Sequence, residues 1–317
     1  MTAASLPPTE PLSSAWRALP AEYAIPDHAP APAEAREYCR RLARSHYENF
    51  SVASWFLPGR LRQHFFNVYA YCRISDDLGD EVGDTAASLQ LLDQWAAELN
   101  ACYDGHPRHP VFVALAETVR EFEIPKHEFA DLLTAFRQDQ RVSRYESFID
   151  LLGYCRYSAN PVGHLVLYLC GYRDPERQLL SDFTCTALQL ANFWQDVSAD
   201  FAKGRIYLPL EDLRRFGVRE ETIRDGENTS AFCAMMKFEV GRAREWFRQG
   251  LPLIAKVDRK LATDIELFSG GGGEILNAIE RQHYAVLGRR PVISKGRKLA
   301  LVARAALGKL LPSEGSR

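Results

Sequence analysis

The sequence predicts an all-α protein, and three observations carry that prediction. Apolar residues recur at intervals of three and four through most of the chain after Ala35. Prolines stand between such stretches rather than inside them, at 58, 107, 110, 125, 161, 175, 209 and 252. Alternating strand patterns bounded by tight hairpin signals are absent, as is any repeat of about 20 to 50 residues. About ten to twelve helices are expected. They are assigned to one domain over 35–291, with a leader over 1–34 and a tail over 292–317.

Composition narrows the function classes. The 317 residues carry a net charge of −2, with 46% hydrophobic and 25% charged residues, the balance of a water-soluble globular protein. Near-neutral charge predicts no nucleic-acid partner, because phosphate-backbone binders carry a basic excess. Seven cysteines, odd in number and never spaced C-x-x-C, predict core-filling thiols in a reducing, cytoplasmic setting. No run approaches the roughly 18 apolar residues of a membrane span.

Along the chain, the first 34 residues hold seven of the 17 prolines and no basic start followed by an apolar stretch, which reads as a disordered leader rather than a secretory signal. Leu61, Phe65, Val68, Tyr69 and Cys72 form one helical stripe, and Leu89, Leu92, Trp95, Ala96 and Leu99 another. The segments Asn67 to Ile74 and Cys185 to Trp194 are apolar around most of their circumference, which places them centrally in a bundle. The run Gly270 to Gly273 is expected to be a loose interhelical turn; no strand precedes it and no Lys-Ser/Thr follows, so it is not a phosphate loop. After residue 291, Lys295, Arg297, Lys298, Arg304 and Lys309 alternate with leucines. This basic amphipathic tail either packs on the domain, the reading we favour, or rests on an anionic membrane surface.

The chemistry sits on the two apolar segments. Asp76 and Asp80 lie four residues apart, so about 400° of helical rotation returns both carboxylates to one face. Asn192, Asp196 and Asp200 repeat that spacing over two turns, a ladder about 12 Å long. All are hard oxygen donors of the kind Mg²⁺ takes. With 18 Asp in the chain, about one such pair is expected by chance, and three occur, 80/84 being the third. Context raises two of them above chance: carboxylates on apolar helices are costly unless a cation compensates them. Two ladders facing across a helical cavity suit a diphosphate bridged by more than one Mg²⁺. Arg73, one turn before Asp76, and Lys203 and Arg205 in KGRIYLP are positioned to grip phosphate oxygens.

These residues resemble those of the squalene/phytoene synthase family. YAYCRISDDLGDE and QLANFWQDVSADFAKGRIYLP are similar to its two aspartate-rich motifs, and NFSVASWFLP, YCRYSANPVG and AIERQHYAVLGRRP extend the likeness in order over about residues 40 to 291. The resemblance implies a single-domain isoprenoid synthase fold with a central cavity, and Mg²⁺ on Asp76, Asp80, Asn192, Asp196 and Asp200. It also implies Arg73, Arg290 and His46 as diphosphate contacts, and Tyr154 and Gln189 at the reacting centre. ENFSVAS, FRQD (136 to 139), SANPVG and LANFWQD are most similar to the bacterial hopanoid-pathway branch, in which water ends the reaction of presqualene diphosphate as hydroxysqualene, without NADPH. Squalene or phytoene synthesis from two prenyl diphosphates is the alternative. Asn160 is a candidate for orienting that water, and equally for bracing a bend at Pro161. The expected partners are a prenyl diphosphate, other enzymes of the same pathway, and a peripheral contact on the inner face of the plasma membrane.

Overall fold

The computed structural model describes residues 19–45, 59–297, 300 and 301. Twelve α-helices run through them: α1 (Pro32–Ser45), α2 (Arg62–Asp80), α3 (Thr85–Asp104), α4 (Pro110–Phe122), α5 (Lys126–Asp139), α6 (Phe148–Ser158), α7 (Asn160–Leu169), α8 (Pro175–Ala202), α9 (Leu210–Phe216), α10 (Glu220–Arg224), α11 (Ser230–Gly250) and α12 (Arg259–Arg281). Among the described residues the one β-type pairing is an isolated bridge between Arg144 and Ile206.

Sequence punctuation sets the boundaries. Pro110, Pro161 and Pro175 sit in the first turns of α4, α7 and α8, where a missing N–H removes no helical bond. Asp84, at ladder spacing from Asp80, instead caps α3 by accepting a hydrogen bond from the Ala87 N–H. Gly105, in the left-handed region at φ 89°, ends that helix.

The core has two main parts. In the first, α2 is wrapped by α1, α3, α4 and α5 around the fully buried Tyr71, Trp95, Phe112 and Phe129. Each such burial contributes on the order of 2 to 3 kcal/mol. The polar atoms on that face are satisfied: Tyr71 donates to the Phe129 carbonyl at 2.7 Å, and Trp95 Nε1 to Ser75 Oγ at 3.0 Å. In the second part, α8 runs against α7, α11 and α12 around Trp194, Phe232, Met235 and Met236. The apolar circumference of α2 and α8 reflects this central placement, as expected.

Two expectations are corrected. Gly270 to Gly273 forms no turn; it lies within α12. A Cβ on Gly272 would stand 2.4 Å from Phe247 Cζ and 3.0 Å from Leu188 Cδ2, so glycine here permits close approach to α11 and α8, and that packing offsets its poor helix propensity. The described part of the Pro-rich leader is not disordered: Leu19 and Tyr23 are buried, Ala21–Tyr23 form a 3₁₀ turn, and α1 begins at Pro32. Leu19 and Tyr23 dock this arm together with hydrogen bonds from Tyr38 and Arg41 to Glu22, and composition averaged over 34 residues hides them.

Candidate active site

The C-terminal ends of α2 and α8 meet. Lys203 Nζ, just past α8, lies 3.3 Å from Asp80 Oδ2, and Arg205 Nη2 lies 3.0 Å from Asp80 Oδ1. The two ladders therefore lie close enough for the Asp80 charge to act on Asp200. Within the second ladder, Asn192 Nδ2 donates to Asp196 Oδ2 at 3.0 Å, and Arg290 grips the same carboxylate, with Nη2 at 2.9 Å from Oδ2.

Arg73 stands one turn before both Asp76 and Asp77. Its nearest partner is Asp77, not Asp76: Nε donates to Asp77 Oδ2 at 3.0 Å, Nη2 pairs with Oδ1, and Asp76 Oδ2 stands 3.7 Å from Nη1. The i,i+4 relation brings Asp77 beneath the guanidinium, whereas Asp76 is an i,i+3 neighbour.

The negative charge is unevenly balanced. Burial would raise Asp80, but hydrogen bonds and charge from Arg205 and Lys203 outweigh it and hold its carboxyl below the usual range. Asp200, by contrast, is pushed up to about 7 by burial and then by the Asp196 charge. Burial and the Asp80 charge push Asp76 up to about 6. Among the described residues no three carboxylate, imidazole or thiol groups are already gathered as a ligand set. What the ladders present is carboxylate charge that protons, or a cation, would relieve.

Asp139, at the end of α5, has no ladder spacing and was not among the sequence-derived site residues. Burial pushes it up to about 6, and the charges of Arg205, Asp80 and Asp76 all act on it, which places it with the ladders. Its Oδ2 accepts the Tyr154 hydroxyl at 2.8 Å, while buried Oδ1 has no partner. FRQD was the only sequence signal for it. The Tyr154 ring joins Tyr145, Phe193 and Tyr207, with Phe193 and Tyr207 stacked at 3.8 Å. These π-faces suit positive charge and offer no strong nucleophile.

Below the ladders, on the same faces of α2 and α8, lies an apolar cavity of about 330 Å³. Phe65, Val68, Tyr69 and Cys72 line it from α2, and Cys185 and Leu188 from α8, with α7 and α12 closing it. Leu188 stands one turn before Asn192 and Cys72 one turn before Asp76, so the apolar wall runs directly into the carboxylates. Gln189 is half-buried beside Leu188. Asn160 is buried at the start of α7, and its Oδ1 accepts from Thr186 Oγ1 at 3.0 Å, which ties α7 to α8. Pro161 marks a break between α6 and α7 rather than a bend in one helix. His46 and the stretch 49–58 lie outside the described residues. So does most of the tail, although Arg297 Nη1 pairs with Glu274 on α12 at 2.9 Å.

Residues 43–297 match the squalene/phytoene synthase family. A 15-cis-phytoene synthase from Synechocystis sp. is 31% identical over 282 residues, covering 84% of this chain and 82% of the relative. Among solved structures, squalene synthase HpnC from Alicyclobacillus acidocaldarius is 45% identical with a TM-score of 0.76, over 85% of this chain and 98% of that one. A dehydrosqualene synthase is 27% identical with a TM-score of 0.79, over 87% and 96%.

Proposed function

Because the chain belongs to the squalene/phytoene synthase family, we propose that it converts presqualene diphosphate and water into hydroxysqualene, releasing diphosphate, as a step of hopanoid synthesis. The observation that carries this reading is the continuity of an apolar cavity with two facing carboxylate ladders flanked by Arg73, Lys203, Arg205 and Arg290. A hydrocarbon chain fits below and a diphosphate above. The 45% identity to squalene synthase HpnC supports the C30 assignment.

The donor set fits Mg²⁺: all five ladder side chains offer hard oxygens, and burial together with a neighbouring carboxylate, Asp80 for Asp76 and Asp196 for Asp200, raises two of them beyond what the nearby cations offset. Asp76 and Asp80 on one side, and Asn192, Asp196 and Asp200 on the other, would bind it. Bound Mg²⁺ supplies charge neutralisation to a departing diphosphate. The cations now paired with Asp80 and Asp196 exchange onto phosphate oxygens when the substrate arrives. The carbon–oxygen bond then breaks with its electron pair leaving on diphosphate. The aromatic group of Tyr145, Tyr154, Phe193 and Tyr207 stabilises the cation without capturing it. Water adds to the rearranged cation and loses a proton. Asn160, whose Oδ1 is taken by Thr186, has its amide N–H₂ to orient that water.

A second reading is outright condensation of two prenyl diphosphates to squalene or phytoene, favoured by the phytoene synthases among its relatives. One experiment separates the two. Purified protein is given presqualene, farnesyl or geranylgeranyl diphosphate in ¹⁸O-water with Mg²⁺, with and without NADPH, and the lipid is identified. Labelled hydroxysqualene at a rate indifferent to NADPH is expected; squalene formed only with NADPH, or phytoene from geranylgeranyl diphosphate, establishes the second.

A further inference from the structure

Asp77 follows Asp76 in sequence, so its side chain is rotated about 100° around α2, away from the ladder face. There it meets the N-terminal arm. The Tyr23 hydroxyl donates to Asp77 Oδ2 at 2.8 Å, the same oxygen that accepts from Arg73 Nε at 3.0 Å, while Asp77 Oδ1 accepts from Arg73 Nη2. Tyr23 and Asp77 are both buried. The arm is fastened independently: Tyr38 donates to the Glu22 carbonyl at 2.9 Å, and Arg41 Nη2 to Glu22 Oε2 at 2.6 Å.

We infer that Tyr23 is a positioning residue for the diphosphate site, fixing through Asp77 the guanidinium of Arg73 so that its Nη1 corner faces the Asp76 side. The geometry divides the guanidinium in two. Its Nε and Nη2 edge is spent on a buried carboxylate, and Nη1 is the corner that points toward the ladder, 3.7 Å from Asp76 Oδ2. An arginine on a helix otherwise samples many rotamers, and a forked pairing with one fixed carboxylate removes that freedom before the anion arrives. The phenol holds the carboxylate in turn. Without it, Asp77 Oδ2 loses its second donor in a buried setting, and the carboxylate is free to rotate with the guanidinium it carries.

This inference rests on the reading of Arg73 as a diphosphate contact. Its test is titration of the full chain with inorganic diphosphate in excess Mg²⁺, beside steady-state kinetics. Tyr23→Phe keeps the ring and removes the O–H; it should weaken diphosphate binding about five- to tenfold, with the Michaelis constant rising in step and kcat little changed. Asp77→Asn, which keeps the shape and removes the charge, should weaken it more. Tyr38→Phe loosens the same arm without touching Asp77 and should lower the melting temperature while leaving diphosphate affinity unchanged. In an Arg73→Met background, Tyr23→Phe should have no further effect. Unchanged affinity in Tyr23→Phe, an equal loss in Tyr38→Phe, persistence of the loss without Arg73, or no diphosphate binding by the unsubstituted chain overturns the inference. A chain that binds diphosphate through this relay but yields squalene refutes only the reaction assignment.

Discussion

Replacing His164 by Gln removes a cation that three helices share. The imidazole on α7 lies between Glu128 of α5, 3.0 Å from Nδ1, and Asp182 of α8, 2.8 Å from Nε2. His127 also approaches Glu128, at 3.4 Å, and the charges of Asp131 and Arg156 lie nearby. Burial alone would lower the His164 pKa, but hydrogen bonds and charge from Asp182 and Glu128 outweigh it and raise it from 6.5 to about 9. At about 1.36 kcal/mol per tenfold change in proton affinity, that interval corresponds to about 3 kcal/mol of folding stability. Because the folded pKa is the higher one, the contribution is complete below pH 6.5, declines as pH rises from there, and is gone above about 9. Urea denaturation of the natural chain and His164→Gln at pH 6 and pH 9.5 measures it. Glu239, pushed up to about 8 by burial, and Asp200 are present in both proteins and drop out of the comparison. The stability gap between the two should shrink by about 3 kcal/mol from the lower to the higher pH. A gap independent of pH would refute the three-helix bridge.

Asp76→Ala and Asp196→Ala should each nearly abolish product formation with the helical circular dichroism unchanged, and EDTA should do the same to the natural chain; activity retained in EDTA removes the metal. Asp76 and Asp200 must lose protons to take a cation. The rise in melting temperature on adding MgCl₂ should therefore be small at pH 5.5 and larger at pH 8, and equal rises would contradict the ladder assignment. Gly271→Ala and Gly273→Ala, whose added Cβ atoms meet nothing within 4 Å, should stabilise α12 by about 1 kcal/mol each. Gly272→Ala should destabilise by about 1 to 2 kcal/mol against Phe247 and Leu188, so a common sign for all three in thermal melts would sink the packing argument. Truncation at residue 292 should weaken sedimentation with anionic vesicles if the basic tail meets lipid; the pairing of Arg297 with Glu274 instead favours packing, and identical sedimentation would bear that out.

The helices were legible because period 3.6 is written into long amphipathic and all-apolar segments, and the ladders because a spacing of four fixes a shared face. The unread parts depend on contacts that no local pattern encodes. Asp77 follows Asp76 without ladder spacing, and only the arm folding back onto α2 makes it a partner of Tyr23. Asp139 stands alone in sequence and joins the ladders through the packing of α5 on α2. Gly270 to Gly273 satisfied every local signal for a turn, and close packing of three helices reversed that reading.

The position of the ladders within their helices has a further consequence. Asp76 and Asp80 occupy the last two turns of α2, and Asp196 and Asp200 the last two turns of α8. Each helix carries about half a negative elementary charge at that end from its aligned peptide dipoles, which is where carboxylates are least welcome. Two such ends beside one shared space add their fields to those of the side chains, so that space attracts cations before any individual ligand bond is counted. A search for stabilised variants of the metal-free protein would find its gains at Asp76 and Asp200, whose carboxyls burial and a neighbouring carboxylate raise, and every gain there would be a loss of the field that draws in a metal–diphosphate complex.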